Sequence, residues 1–400
     1  MGILMRLLNR RPSLAATVLV GVALLPAVHA AHAQSAFYTA TDEELAGAPG
    51  AIIRAQPIRR TPEGATAYRV LYRSTGLRDQ PIAVSGVVII PGGPIPAGGR
   101  PIVAWAHPTT GVVPRCAPSL TMNVFKHIQG LGEMLARGYA VAATDYPGLG
   151  TPGPHPYLVG VSEARAVLDS VRATRDLEGA ADAGRRFAVW GHSQGGQATL
   201  YSGILAKSYA PELELAGVAA AAPATDLATL MADDLNSAGG RNLTAMTLWS
   251  WQRVFDAPMA RVLTPAAIPV VDLLAQDCIE SIFDIVLRER EGRSLVRSFL
   301  SVPNPLDLEP WKTLAAENTP GTLAPDIPVF LSQGADDKLV RPQVTTHYME
   351  RLCNAGTTVH MLVLPGVNHA FIGRDSATAA VEWIAERFAG TPAPSDCGAF

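Results

Sequence analysis

Val189-Trp190-Gly191-His192-Ser193-Gln194-Gly195-Gly196, read as VWGHSQGG, lies near the middle of a 400-residue chain, and its reading decides the fold. A G-x-S-x-G pattern arises easily by chance in a chain with 36 glycines, so its flanks must support it. Phe187–Trp190 ahead of it is apolar and aromatic and reads as a strand, while Gln194–Ser208 behind it has helical spacing. Strand, sharp turn, helix is the setting in which a serine is held in a strained backbone conformation, its hydroxyl exposed above a sheet. Neighbours without Cβ leave room for strand and helix to pack close, which is what Gly191, Gly195 and Gly196 supply.

Working outward, residues rich in Val, Ile and Tyr predict strands at Ala67–Ser74 and Pro81–Ile90. Short apolar runs predict further strands at Ile102–Ala106, Ala140–Asp145, Leu215–Ala221, Pro328–Ser332 and Thr358–Leu364. PGGPIPAGGRP (Pro91–Pro101) reads as a turn or hairpin loop. Helical spacing covers Met122–Arg137, with Gly138 to close it, and also Val161–Leu177 and Ser376–Phe388. Apolar strands alternating with helices predict an α/β fold, a mostly parallel central sheet flanked by helices on both faces. One segment breaks the alternation. From Thr229 to Asn318 the sequence is helix-like, carries Trp249, Trp251 and Trp311 and has few strand signals. The expected organisation is therefore a core over 34–228 and 319–400 with a helical cap inserted at 229–318.

The first residues stand apart from that fold. Met1–Arg11 carries Arg6, Arg10 and Arg11 without an acid, an apolar run spans Leu14–Val28, and Ala31-His32-Ala33 precedes Gln34. That is the pattern of a secretory signal peptide over residues 1–33, cleaved after Ala33 or Ala30, so the mature protein is expected to be secreted or periplasmic. Its apolar run is too short to span a bilayer, and no later run is long enough, so no stable membrane anchor is expected. Removing three arginines takes the formal net charge from −3 to −6. An acidic chain without a basic block argues against a nucleic-acid partner.

Four cysteines, Cys116, Cys278, Cys353 and Cys397, are widely spaced with no C-x-x-C pair, which argues against a zinc or thioredoxin-type site. In an exported chain they read as two disulfides with three possible connectivities. Cys353 ends a stretch read as helix and Cys397 lies in the tail, so that pair could pin the C-terminus.

A serine hydroxyl is a weak nucleophile and needs a base and an orienting acid. LSQGADDKLVRP places Asp336 and Asp337 just past the Pro328–Ser332 strand, and LVLPGVNHAF puts His369 in a loop just past Thr358–Leu364. In an open parallel sheet the reacting groups gather at the carboxyl ends of strands, and here three candidates fall there in the order Ser, Asp, His. Asp337 is favoured over Asp336 by its spacing in Gly334-x-x-Asp337-x-x-Val340. His192 is the variable residue of the elbow, and His127, His155, His347 and His360 lack the strand-end context of His369. Donors for a developing oxyanion are expected from the Gln194 N–H and from HPTTG (His107–Gly111). Pro108 has no N–H, which leaves Thr109 or Thr110.

Taken together, AWAHPTTG…CAPS, TDYPGLGTPG, GHSQGG, APATDL, QGADDKLV and NHAF resemble the secretory lipase family of α/β-hydrolases, the lipase A-like group. The resemblance covers roughly residues 101–226 and 328–371. It implies Ser193, Asp337 and His369 as a catalytic triad and Gln194 with Thr110 as the oxyanion hole. It also implies an α/β-hydrolase fold with a helical cap, and the disulfides Cys116–Cys278 and Cys353–Cys397. The expected activity is cleavage of carboxylic esters, with a small-molecule or lipid ester as substrate and no metal or organic cofactor. A serine peptidase or an acyltransferase would use the same triad.

Overall fold

Six parallel strands form the centre of a nine-stranded sheet, and three antiparallel strands extend one edge of it. The computed structural model describes residues 36–177, 183–280 and 282–398, so the leader and cleavage site expected over 1–33 lie outside the described residues. The strands are β1 (Ile52–Pro57), β2 (Ala65–Thr75), β3 (Pro81–Pro91), β4 (Arg100–Ala106), β5 (Ala140–Thr144), β6 (Ala183–His192), β7 (Glu214–Ala221), β8 (Val329–Gly334) and β9 (Val359–Leu364). Their order across the sheet is β1-β2-β3-β5-β4-β6-β7-β8-β9. Every residue of β5 and β8 is buried, as strands covered on both faces must be, and their mostly small or apolar sequences follow from that. The exception is Gln333 near the end of β8, whose amide is hydrogen-bonded to Thr345 and Val340.

The order matters for function. From β4 the chain first moves to one side, to β5, and then crosses back to β6 on the other side. The crevice beyond the carboxyl ends of β4 and β6 is therefore a topological switch point, where ligands bind in open α/β sheets. Trp105 and Trp190 are register partners across these two strands, fully buried with ring centroids 5.9 Å apart, and they give the switch point a rigid floor.

Between β7 and β8 come, among the described residues, five α-helices: Leu227–Asp234, Ala238–Phe255, Ile268–Gln276, Ile282–Glu291 and Trp311–Glu317. Trp251 and Trp311 are buried and stacked, centroids 6.4 Å apart, and the Trp251 indole N–H donates to the Tyr157 carbonyl at 2.9 Å. Beside it the Ser250 hydroxyl donates to the His155 carbonyl at 2.6 Å and accepts from the Tyr157 N–H at 3.0 Å. The inserted helices are thus bonded to the loop that follows β5, not merely laid against it.

Four local expectations need correction. Edge strand β1 carries no strand signal, because its sequence Ile-Ile-Arg-Ala-Gln-Pro is interrupted by Arg54 and Gln56 and an edge strand is only partly buried. The loop after β3 is not a hairpin, since β5 lies between β3 and β4. The helix expected over Met122–Arg137 is two short helices, Val124–His127 and Leu131–Ala136. Gly130 separates them with φ +77°, a left-handed conformation that its own freedom permits. His369 does not sit in a loop: it opens the helix His369–Asp375, whose N-cap Asn368 accepts from the Ala370 N–H at 3.1 Å.

Both disulfides are formed, Cys116–Cys278 with Cα atoms 5.1 Å apart and Cys353–Cys397 with 5.4 Å. Among the described residues, no helix is long and apolar enough to cross a membrane.

Candidate active site

Ser193 stands between the last residue of β6 and the helix Gln194–Tyr209, at φ +58° and ψ −118°. Its N–H donates to the Ala221 carbonyl at the end of β7, at 2.9 Å, which fixes the turn. Its glycines are there for space. A Cβ on Gly195 would stand 1.9 Å from the Ala106 carbonyl oxygen, and one on Gly191 would stand 2.3 Å from the Gly195 oxygen. The strand–turn–helix reading of VWGHSQGG is borne out, and the strained φ lies at the serine itself.

His369 Nε2 is 2.8 Å from Ser193 Oγ, and His369 Nδ1 is 2.7 Å from Asp337 Oδ2. The Asp337 side chain is fully buried. Its Oδ1 accepts from the Leu339 and Val340 N–H groups, each at 2.9 Å, and its Oδ2 also accepts from Gln333 Nε2 at 3.3 Å. A carboxylate supplied with three donors stays in place and, facing Nδ1, leaves Nε2 free to accept from the serine hydroxyl. Asp336 is exposed and points elsewhere. Among the other histidines, His360 pairs with Asp396 at 2.8 Å and His347 is exposed. His192 is buried next to His369, ring centroids 5.1 Å apart, and burial first and the neighbouring His369 second hold its pKa down to about 3. It is an uncharged wall, not a base.

Gln194 is the first residue of its helix, so its N–H has no partner within that helix. Pro108, Thr109 and Thr110, in the loop after β4, line the same cavity of ≈ 300 Å³ as Ser193 and His369. The Thr109 hydroxyl is held by the Tyr157 hydroxyl at 2.9 Å, and the Thr110 carbonyl accepts from the Ile279 N–H at 2.8 Å. A second, tighter space of ≈ 40 Å³ runs from Ser193 and Gln194 toward Leu227, Leu230, Met231 and Asp234 of the inserted helices. Burial raises the Asp234 carboxyl to about 7, with the nearby His369 pulling the other way. The larger ≈ 630 Å³ cavity by Arg172, Arg175 and Glu212 contains none of these groups and has no part in the arrangement.

Of two buried residues beside the nucleophile, the sequence reading passed over Glu163 and set His155 aside as lacking a strand-end context. Glu163 and His155 both touch the Gln194 side chain, and nothing in their spacing along the chain signals it.

A hydroxyl, an imidazole and a buried carboxylate in line, with the Gln194 N–H at the helix start next to the hydroxyl's residue, can carry out nucleophilic acyl transfer. The chain is similar to several known lipases and esterases, one of which is named as inactive. A Mycobacterium tuberculosis protein named a probable inactive lipase is 26% identical over 86% of this chain and 79% of its own length. A secreted triacylglycerol lipase of Malassezia globosa is 25% identical over 83% of this chain and 74% of its own. Among solved structures, Candida antarctica lipase A superposes with a TM-score of 0.75 at 20% identity, covering 90% of this chain and 87% of that one. The rice cell wall degrading esterase of Xanthomonas oryzae superposes with 0.72 at 19% identity, covering 86% and 100%. At those identities the two structures speak for the fold, an α/β-hydrolase. The sequence model of the secretory lipase family matches residues 116–396, and the chain belongs to that family of carboxylic ester hydrolases.

Proposed function

We propose that the protein is an exported serine hydrolase that cleaves carboxylic esters through Ser193, His369 and Asp337. The observation that carries the reading is the unbroken line from Ser193 Oγ to His369 Nε2 at 2.8 Å and from His369 Nδ1 to Asp337 Oδ2 at 2.7 Å. In this mechanism His369 takes the Ser193 proton as Oγ attacks the ester carbonyl, and Asp337 stabilises the imidazolium that forms. The Gln194 and Thr110 N–H groups bind the oxyanion of the tetrahedral intermediate. His369 returns its proton to the departing alcohol, leaving an acyl-enzyme, and then activates the water that releases the acid.

The inserted helices, expected over 229–318, act as the cap of this site. Leu227, Leu230 and Met231 line the tight space beside Ser193, and such walls suit an acyl chain better than a charged peptide terminus. The names of the Malassezia relatives, secreted triacylglycerol lipases, also support a lipid or small-molecule ester as substrate. Two disulfides and the leader pattern of residues 1–33 support export to an oxidising compartment.

The mature protein assayed on p-nitrophenyl esters from acetate to palmitate tests the reading, with Ser193→Ala as the control. Turnover lost in the variant is expected. An inactive wild type, as the name of the mycobacterial relative would suggest, or turnover kept by Ser193→Ala would overturn it.

A further inference from the structure

Behind the nucleophile three polar side chains are buried together where apolar ones would pack at less cost. Glu163 and His155 are fully buried and Gln194 is nearly so. Glu163 stands in the first turn of the helix Gly160–Asp176, where its Oε1 reaches back to accept from the Leu158 N–H at 3.0 Å. The same oxygen accepts from Gln194 Nε2 at 2.7 Å, and Gln194 Nε2 also lies 2.8 Å from His155 Nε2.

Donor counting fixes the direction of these bonds. His155 Nδ1 is 2.9 Å from the Pro147 carbonyl, which can only accept, so Nδ1 carries the proton and Nε2 is an acceptor. Gln194 therefore donates both hydrogens of its amide, one to His155 and one to Glu163. Its side chain is clamped at both positions, and its backbone N–H belongs to the same residue. The clamp extends to the other half of the site. Tyr146 stacks on His155, centroids 5.8 Å apart and planes 10° from parallel, and its hydroxyl donates to the His107 carbonyl at 3.1 Å, in the loop that carries Thr110.

We propose that Glu163 is a positioning residue for ester cleavage: with His155 it holds the Gln194 side chain and thereby aims the Gln194 N–H at the oxyanion. This rests on the reading of Ser193 as nucleophile and Gln194 as oxyanion donor. Burying a glutamate, a histidine and a glutamine side by side costs stability that an apolar trio would not, and the return is a donor that needs no rearrangement in the transition state.

The charge state of the cluster fits that role. Burial raises the Glu163 carboxyl to about 8 and lowers His155 to about 3, so the trio is uncharged at neutral pH. The other titratable groups facing Glu163 are the phenols of Tyr146, Tyr157 and Tyr201, which burial holds un-ionised. Above about pH 8 Glu163 becomes an anion behind the oxyanion site, where like charge opposes the transition state.

Glu163→Leu and Glu163→Gln, with Ser193→Ala as control, test the proposal through kcat and KM on p-nitrophenyl butyrate. Gln keeps the acceptor oxygen that holds Gln194, and Leu removes it. Glu163→Leu is expected to lower kcat by about ten-fold or more, less than the ~10²–10³ of a donor lost outright, with KM within about two-fold. Glu163→Gln is expected to recover most of that loss at pH 7. A kcat for Glu163→Leu within about two-fold of wild type, or an equal loss in both variants, would overturn the proposal. If Glu163→Leu does not fold, the alkaline limb decides: wild-type kcat falls above about pH 8 and that of Glu163→Gln does not, whereas coincident limbs would overturn it. Activity surviving in Ser193→Ala would instead sink the assigned nucleophile. An inactive Ser193→Ala beside an unaffected Glu163→Leu would sink only the role given to Glu163.

Discussion

Asp337 reaches His369 across 32 residues of chain, its Oδ2 2.7 Å from Nδ1, while Asp336 beside it faces solvent. Adjacent residues in a turn point apart, so only one of the two aspartates meets the histidine. An amide at position 337 would present a donor or a weaker acceptor to Nδ1 and could not balance an imidazolium. Asp337→Asn is expected to lower kcat by roughly 10³–10⁴ and Asp336→Asn by less than about three-fold. The reverse ranking, measured on one ester at pH 8, would move the acid one residue back.

Gly195 is a matter of space. Since an added Cβ would meet a backbone oxygen at 1.9 Å, Gly195→Ala must displace either the elbow or β4. Gly132, exposed in the helix Leu131–Ala136, has nothing within 4 Å of the same added atom. Gly195→Ala is expected to lower both the unfolding midpoint and kcat, whereas Gly132→Ala should gain about 0.5–1 kcal/mol of stability and leave kcat unchanged. Urea denaturation beside ester turnover distinguishes them. Full activity in Gly195→Ala would show that the elbow yields.

The two disulfides are expected to matter differently. Cys116–Cys278 joins the loop that follows Thr110 to the inserted helices, next to the Ile279–Thr110 hydrogen bond. Cys353–Cys397 pins the tail, where Asp396 accepts from the Met361 N–H at 2.8 Å. Replacing Cys353 and Cys397 by Ser should cost about 2–4 kcal/mol of stability with kcat/KM nearly native. Replacing Cys116 and Cys278 should cost a similar amount and also lower kcat/KM several-fold. Equal kinetics in the two double variants would contradict the distinction.

Glu163 also makes a prediction about stability. Its folded pKa of about 8 lies above the ordinary 4.5, so the native state binds that proton more tightly than the unfolded chain. Stability from this group is complete below about pH 4.5 and is lost progressively as pH rises to about 8. Asp145, raised by burial to about 6, and Asp234, raised to about 7, act in the same direction but are common to both proteins compared. The urea midpoint of Glu163→Gln relative to wild type should therefore rise between pH 6 and pH 9. A difference independent of pH would mean that Glu163 is already ionised at pH 6.

Much of this was legible in the sequence because it is local. A strand of the parallel core is a short apolar run wherever it occurs, and the elbow needs small residues next to its serine whatever the rest of the chain does. Ser193, Asp337 and His369 could be placed because each follows such a run, and the carboxyl ends of parallel strands all lie along one edge of the sheet. Gly130 escaped because helical spacing on both sides of it concealed a left-handed turn. β1 escaped because an edge strand needs no continuous apolar run. Spacing in Gly334-x-x-Asp337-x-x-Val340 favoured Asp337 over Asp336, but what aims the site came from tertiary structure. Asp337 rather than Asp336 meets His369 because the Leu339 and Val340 amides orient one carboxylate. Glu163, His155 and Gln194 converge because β6, the loop after β5 and the helix Gly160–Asp176 pack together, and hydrogen bonds between side chains far apart in sequence leave no periodic trace along the chain.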